Sequence, residues 1–334
     1  MKAVTYKNYG PPSVLHIKDL PTPTPADNQV LIRVHATTVS SGDWRARSLD
    51  MPAGIGLIGR LVFGVFGPRK AVLGTELSGV IDAAGTAVTK FEVGDQIIAY
   101  PGAGMGAHAE FLTMAEDGAI APKPANLSFE QAAAIPFGGD TALDFLRDKG
   151  NIQSGESVLI IGASGAVGSA AVQLAKYFGA EVTGVCSTVN LELVTSLGAD
   201  HVIDYKTEDF SKNNRLYDII VDTTGSAPWE RSRNSLTATG RLLLVSGSLC
   251  DMLAGGFVSR KHGKKLIPGV ANGNAANLRF LADLVEQGLF NPLIDRSYSL
   301  DQIRQAHAHV DTGRKKGSVV ISIVPDHPRA NSAA

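Results

Sequence analysis

The residues with the clearest chemistry form the turn Gly162-Ala163-Ser164-Gly165-Ala166-Val167-Gly168. It follows the apolar run Val158-Leu159-Ile160-Ile161 and precedes Val167, Ala171, Leu174 and Phe178 at helical spacing, closed by Gly179. A phosphate group needs free backbone N–H donors at a helix N-terminus and no side chain blocking its approach, which a strand, a glycine turn and a helix supply together. Set against G-x-G-x-x-G, Ala163 replaces the first glycine, and Gly165 and Gly168 supply the other two. This spacing serves a dinucleotide pyrophosphate, with Ser164, Gly165, Ala166, Val167 and Gly168 as the binding residues. A tight turn that only packs a helix on a sheet is the competing reading.

The next strand ends in Cys186-Ser187-Thr188-Val189-Asn190. An Asp or Glu there, about 20 residues beyond the turn, would bind a ribose 2′-hydroxyl and repel a 2′-phosphate. That strand end holds no carboxylate. Ser187, Thr188 and Asn190 offer hydroxyl and amide donors instead, which favours NADPH over NADH. The same side chains could cap the following helix, and the two roles are compatible.

Such a site needs a sheet to hold it. From Ser157 onward strands and helices alternate: Glu181 to Cys186, a helix from about Asn190 to Leu197 stopped by Gly198, then strands at His201 to Asp204, Asp218 to Asp222 and Arg241 to Val245. That alternation predicts a doubly wound parallel sheet, so the fold class is α/β. Residues 1 to about 122 read as strands instead, with alternation at Leu31 to Ala36 and Gly79 to Asp82. Ser128 followed by Glu130 and Gln131 opens a helix near a boundary. Ser318 to Ile323 reads as a strand that returns to the first domain, and the tail from Pro325 to Ala334 as frayed.

At 334 residues the chain exceeds what one core usually supports. Its formal net charge of -1 gives no electrostatic reason to expect nucleic acid. Cys186 and Cys250, the two cysteines, form no C-x-x-C pair, and the first residues lack the apolar core of a signal peptide, so a cytoplasmic setting is expected. Ile55 to Phe66 is apolar but glycine-rich, interrupted by Arg60 and short of the roughly 20 residues a membrane span needs. It is expected to be an apolar loop that covers the substrate pocket, with ordinary core as the competing reading. The run Arg260 to Lys265 reads as a solvated loop.

Taken together, Val39-Ser40-Ser41-Gly42-Asp43-Trp44, Leu73-Gly74-Thr75-Glu76, Val93-Gly94-Asp95, Gly162 to Gly168, Cys186-Ser187-Thr188 and Leu197-Gly198-Ala199-Asp200 through Tyr205 resemble the medium-chain dehydrogenase/reductase superfamily. Within it the chain is most similar to the zinc-free quinone oxidoreductase and enone reductase branch. The resemblance implies a GroES-like, β-rich substrate domain of residues 1–124 and 291–334, and a Rossmann cofactor domain of residues 125–290. It also suggests a homodimer. Zinc-dependent relatives carry Cys where this chain has Ser40 and His where it has Thr75, and hydroxyls are poor Zn²⁺ ligands beside thiolate and imidazole. No zinc is therefore expected. His108, in a Gly-Ala loop, and the pair His307 and His309 are not expected to rebuild a metal site.

Carried over position by position, the resemblance implies that Asp43 and its neighbours lie beside the nicotinamide and Thr141 near the cofactor. It implies further that Tyr205 approaches the 2′-phosphate, Thr224-Gly225 the ribose and Ser246-Gly247-Ser248 the nicotinamide end. Gly317, after the basic Arg314-Lys315-Lys316, would lie near the phosphates, though that triplet also reads as a solvated turn. Two departures matter: Arg45 stands where the branch often has Lys, and a guanidinium is a poor acid at neutral pH; Val189 stands where an Arg often follows.

Without a metal to polarise it, an alcohol or simple ketone is a harder substrate than a quinone or α,β-unsaturated carbonyl, whose conjugation spreads the incoming charge onto oxygen. The expected activity is hydride transfer from NADPH to such an acceptor, with Arg45, Ser40 or Ser41 steadying the oxyanion and water supplying the proton. Two alternatives stay open: a cofactor-binding sensor or interaction protein with little catalysis, and an alcohol dehydrogenase-like enzyme.

Overall fold

Val30, Ile32, Val34 and Ala36 are fully buried while Arg33 between them is exposed, the alternation of a strand with one covered face. The computed structural model describes residues 1–271 and 273–324, and of 256–262 the backbone alone; the expected frayed tail lies outside the described residues. Strands β1 (Lys2–Thr5) and β2 (His16–Asp19) form a small ladder. Then come β3 (Gln29–Thr38), β4 (Leu77–Ala84), β5 (Gln96–Ala99), β6 (Phe111–Ala115) and β7 (Ile120–Pro122). A second run gives β8 (Ser157–Ile161), β9 (Glu181–Cys186), β10 (His201–Asp204), β11 (Tyr217–Asp222), β12 (Leu236–Leu244) and β13 (Lys265–Pro268), and the chain closes with β14 (Ile294–Ser299) and β15 (Ser318–Ser322).

The helices are α1 (Ser41–Ser48), α2 (Gly56–Phe63), α3 (Phe129–Ala133), α4 (Thr141–Leu143), α5 (Ala166–Tyr177), α6 (Leu191–Ser196), α7 (Trp229–Ser232), α8 (Leu249–His262), α9 (Ala275–Glu286) and α10 (Ile303–Asp311). Wide π turns at Pro136–Asp140 and Asp144–Lys149 flank α4.

The second run makes a six-stranded sheet in the order β10-β9-β8-β11-β12-β13, every pairing parallel. Right-handed crossovers cover both faces of such a sheet, which explains why its central strands are continuously apolar. Val158 and Ile160 join Ala171, Leu174, Leu278 and Leu281 on one side, and Leu159, Ile220, Leu242 and Tyr217 fill the other. Each such aliphatic side chain stabilises the fold by roughly 1.5–3 kcal/mol on burial. The strand order reverses between β8 and β11, the point at which sheets of this kind hold ligands.

The other sheet runs β14-β15-β3-β4-β5-β7, with β6 on β3. Strand β15 pairs antiparallel with β3, so the C-terminal segment returns to the N-terminal strands as expected. Ser128 and Gln131 form the capping box that starts α3.

Three expectations need correction. Ile55 to Phe66 is not a loop: residues 56–63 form α2, held on its inner side by Ile55, Gly59 and Phe63 while Leu57, Ile58, Leu61 and Val62 face outward. Arg260 to Lys265 is not a loop either, since it ends α8 and begins β13. Strand β12 begins at Leu236, five residues before Arg241, through the partly exposed stretch Thr237-Ala238-Thr239.

Candidate active site

The chain leaves β8 at Gly162, whose φ of +80° lies in the left-handed region and whose added Cβ would sit 2.5 Å from the side chains of Thr223 and Thr224. Gly165 donates to the Gly162 carbonyl at 3.0 Å and caps α5 with no side chain of its own. A Cβ on Gly168 would fall 2.0 Å from that carbonyl oxygen, so glycine is what lets α5 close on the strand. A Cβ on Gly165 would meet nothing nearer than 3.5 Å, and the first turn of α5 carries no acidic residue. The result is a cradle of unpaired N–H groups at a helix N-terminus, which fits a pyrophosphate. Gly317 donates to the Ser164 carbonyl at 2.8 Å, joining the turn before β15 to this loop. Lys315 in turn donates to the Gly317 carbonyl at 2.7 Å, an arrangement more specific than a solvated turn.

At the ribose end, Asn190 donates to Ser164 Oγ at 3.0 Å and to Ser187 Oγ at 3.3 Å, which brings these three predicted residues together. Its Oδ1 is buried without a partner among the described residues, the mark of a polar atom waiting for a donor. Thr188 turns away and donates to the Asp204 carboxylate. That hydrogen bond, followed by the one from Lys206 N–H, holds the Asp204 carboxyl below the usual range. Tyr205 is exposed beside it and donates its backbone N–H to Cys186 at 3.1 Å. A carboxylate therefore does stand near this end of the site, supplied by the neighbouring strand. Sequence reasoning missed it, although Asp204 is in register with Cys186 across β10 and β9.

A cleft of about 330 Å3 joins the two sheets' loops and is lined by Trp44, Arg45, Met51, Asp222, Thr224 and Ser246 among others. Arg45 Nη2 donates to Ser246 Oγ at 3.0 Å across it. Burial lowers the Arg45 guanidinium from its ordinary value, Asp50 offsets part of that, and Nε has no partner among the described residues. Met51, Pro52 and Ala53 line this cleft, whereas Ile55 to Phe66, expected to cover it, does not contribute to its lining. Asp222 organises the far wall: one oxygen accepts from Thr224 N–H, Thr224 Oγ1 and Gly225 N–H, the other from Ala227 N–H. Ser248 caps α8 in a box with Asp251, and Gly247 packs so close to Pro268 that a Cβ would lie 2.9 Å from it.

Ser40, Asp43 and Thr75 form one buried knot. Ser40 caps α1, its N–H and Oγ donating to Asp43 Oδ2 at 2.8 and 2.7 Å. Gly74 N–H donates to Asp43 Oδ1 at 2.8 Å, and Thr75 Oγ1 lies 3.3 Å from Oδ2 and 2.9 Å from Ser40 Oγ. Asp43 is fully buried with both oxygens engaged, so it positions the start of α1. Two neutral hydroxyls already tied to a carboxylate do not fit Zn²⁺. Ser41 follows as the first residue of α1, half-buried.

Glu76, next in the chain, accepts from Thr38 Oγ1 and from Phe137 N–H at 2.6 Å. Burial pushes its carboxyl up to about 8, against those two hydrogen bonds. Thr141 is buried at the start of α4, past Gly138, whose added Cβ would meet the Ala166 carbonyl oxygen at 2.6 Å. His108 is not alone: its ring meets His307 edge to face at 5.7 Å between centroids, and both are fully buried. His309 instead bonds Asp295 at 2.6 Å.

Comparison with known proteins agrees with this architecture. Residues 26–125 match the alcohol dehydrogenase GroES-like domain, and residues 197–321 a domain described as zinc-binding dehydrogenase. The chain is 30% identical to a chloroplast envelope quinone oxidoreductase homolog of Arabidopsis thaliana, over 96% of this chain and 98% of that one. It is 32% identical to a 2-methylene-furan-3-one reductase of Solanum lycopersicum, over 97% and 80% of the two. The solved quinone oxidoreductase of Coxiella burnetii superimposes with a TM-score of 0.86 at 29% identity, over 97% of this chain and 99% of that one.

Fold and glycine turn define a nicotinamide-dependent oxidoreductase built from a GroES-like and a Rossmann-type domain. The chain belongs to the medium-chain dehydrogenase/reductase superfamily, in its quinone oxidoreductase and enone reductase branch.

Proposed function

We propose that this enzyme transfers hydride from NADPH to a quinone or α,β-unsaturated carbonyl without zinc. The observation that carries the reading is Arg45, bonded to Ser246 inside the cleft next to the dinucleotide turn, while Ser40 and Thr75, where zinc-dependent relatives carry Cys and His, are tied into a knot with Asp43. The names of the relatives, quinone oxidoreductase and furanone reductase, support a conjugated acceptor.

The nicotinamide supplies the hydride when bound. Ser164 through Gly168 hold the pyrophosphate, and Ser187 and Asn190 hold the 2′-phosphate, with Thr188 and Tyr205 beside them. Thr141, Thr224, Ser246, Gly247, Ser248 and Gly317 border the rest of the dinucleotide. Arg45 steadies negative charge growing on the acceptor oxygen: its guanidinium, anchored by Ser246 at the cleft, is a permanent cation in a partly buried setting, where it counts for more than in water. Ser40 and Ser41 set the position of α1, Asp43 locks it, and water delivers the proton.

The division into residues 1–124 with 291–334 and residues 125–290, the homodimer and the cytoplasmic setting are parts of the same proposal. Among the described residues no helix is long and apolar enough to cross a membrane. A panel of quinones, enones, ketones and alcohols, assayed with NADPH and NADH in parallel, tests it: NADPH oxidation confined to the conjugated acceptors is expected. Turnover of alcohols together with zinc in elemental analysis would point to the alcohol dehydrogenase-like alternative, and no turnover of any acceptor to the sensor.

A further inference from the structure

Helix α2 carries one charged side chain, Arg60, and is otherwise apolar. Its inner side rests on its own chain, Gly59 against the Met51 side chain and Phe63 against the cluster of Val4, Tyr6 and Leu73. Its outer side presents Leu57, Ile58, Leu61 and Val62, continued by Val65 and Phe66; Leu57 is 73% and Phe66 104% exposed. A contiguous row of exposed apolar side chains marks a surface that meets a partner or a membrane. This one is firmly placed, because Tyr9 Oη donates to the Gly64 carbonyl at 2.8 Å and Arg69 N–H to the Phe63 carbonyl at 2.7 Å.

The charges on the segment that carries it, from Met51 to Thr75, have one sign, Asp50 standing just before it. Between Met51 and Thr75 there is no Asp or Glu, and Arg60, Arg69 and Lys70 are the only ionisable side chains. All three are exposed. Arg60 Nη1 donates to the Val65 carbonyl at 3.4 Å, which keeps this cation at the end of the helix beside Val65 and Phe66. Arg69 and Lys70 rim a hollow of about 210 Å3 whose wall includes Tyr6, Val62, Phe63 and Met105. An apolar face bordered by cations is the pattern of a surface that lies in the headgroup region of an anionic bilayer. A second copy docking through the same face would set Arg60, Arg69 and Lys70 near their own counterparts, which like charges oppose.

The face also leads to the site. Met51, Pro52 and Ala53, immediately before α2, line the cleft that holds Arg45 and Ser246, and the Ala53 carbonyl accepts from Leu249 N–H at 3.1 Å. We propose that α2 with Val65 and Phe66 docks this enzyme on an anionic lipid surface, and that its acceptor is a quinone with a long apolar tail, passing from that lipid into the cleft over Met51–Ala53. The substrate half rests on the quinone reading above.

Flotation of the full chain with vesicles of phosphatidylcholine, alone or mixed with phosphatidylglycerol, tests the docking. Binding to the mixed vesicles alone, falling steeply with added salt, is expected. The triple variant Arg60→Gln, Arg69→Gln, Lys70→Gln lowers partitioning roughly a hundredfold, and Leu57→Ser, Leu61→Ser, Phe66→Ser removes it. Both variants keep the wild-type rate on a short-chain, water-soluble quinone and lose reduction of a long-tailed quinone dissolved in the mixed vesicles. No binding of the wild type to mixed vesicles overturns the docking, as does a wild-type dimer that the serine variant splits in sedimentation equilibrium. Vesicle binding without reduction of either quinone overturns the substrate half and the quinone reading while the docking stands.

Discussion

Arg45 Nη2 and Ser246 Oγ lie 3.0 Å apart, one on α1 and the other just past the end of β12. The bond ties the loops of the two sheets together at the cleft and fixes the direction in which the guanidinium points. A cation without that anchor could not hold its charge toward an acceptor in the cleft with the same constancy.

Replacement of Arg45 by Ala is expected to lower kcat roughly a hundredfold to a thousandfold, the usual loss of one oxyanion donor. The Kd for NADPH, read by fluorescence titration, stays within a factor of a few. Arg45→Lys restores only part of the rate, since a point charge loses the planar fork. Unaltered turnover in Arg45→Ala removes this residue from the chemistry.

Asp43 acts on stability. Asp43→Ala leaves Ser40 N–H, Ser40 Oγ, Gly74 N–H and Thr75 Oγ1 without their buried acceptor. A loss of about 3–5 kcal/mol in chemical denaturation is expected, with Asp43→Asn in between. A change within measurement error would mean that the knot is not held by the carboxylate.

Five of the six strands of the parallel sheet were legible in the sequence because their signals are local, whereas β13, short and begun by Lys265, was not. Val158 to Ile161 is short, continuously apolar and followed by a glycine turn, and nothing but a buried parallel strand satisfies all three. Helix α2 was not legible, because Gly56 and Gly59 lower helix propensity and Arg60 alone is too little polar surface to set a period. What holds it is tertiary: Ile55, Gly59 and Phe63 share one side, with Gly59 against Met51 and Phe63 on the cluster of Val4, Tyr6 and Leu73. Asp204 could have been found from strand pairing, since adjacent parallel strands end level with one another. The contact of His108 with His307 joins distant parts of the chain, and no spacing rule reaches it.

The cofactor preference has its own test. Ser187→Asp would put a carboxylate next to Asn190 and Ser164, and it is expected to weaken NADPH roughly tenfold to a hundredfold relative to NADH. Asp204→Asn removes the anion bonded to Thr188 and shifts the preference the other way. Kd values for both cofactors check the pair; equal effects on NADPH and NADH would place the 2′-phosphate elsewhere.

Glu76 predicts a pH dependence. Its carboxyl is raised by burial from 4.5 to about 8, so the folded chain holds a proton that the unfolded chain has already lost in that interval. Its contribution to stability is therefore complete below pH 4.5 and declines as pH rises to about 8, with no further loss above. Lys315, lowered by burial from 10.5 to about 8, acts in the opposite sense and only above that pH. The stability difference between Glu76→Gln and the wild type should thus move in favour of the variant as pH rises through this window. A difference independent of pH would contradict the raised value.

Gly168→Ala tests the cradle itself. With its Cβ 2.0 Å from the Gly162 carbonyl oxygen, α5 must move away from β8. NADPH binding is expected to weaken roughly tenfold or more, because the N–H groups of the first helical turn no longer converge. Wild-type affinity would show that the pyrophosphate sits elsewhere.

The most direct measurement of the central claim follows the hydride. NADPH deuterated at its transferable position is incubated with the enzyme and a conjugated acceptor, and the product is examined by mass spectrometry and NMR. The account predicts one deuterium at the β-carbon of a reduced enone and, for a quinone, whose hydroxyl deuterium exchanges with water, a slower turnover with the deuterated cofactor, both retained in zinc-free protein. Reduced enone without deuterium, or no product until zinc is added, would contradict it.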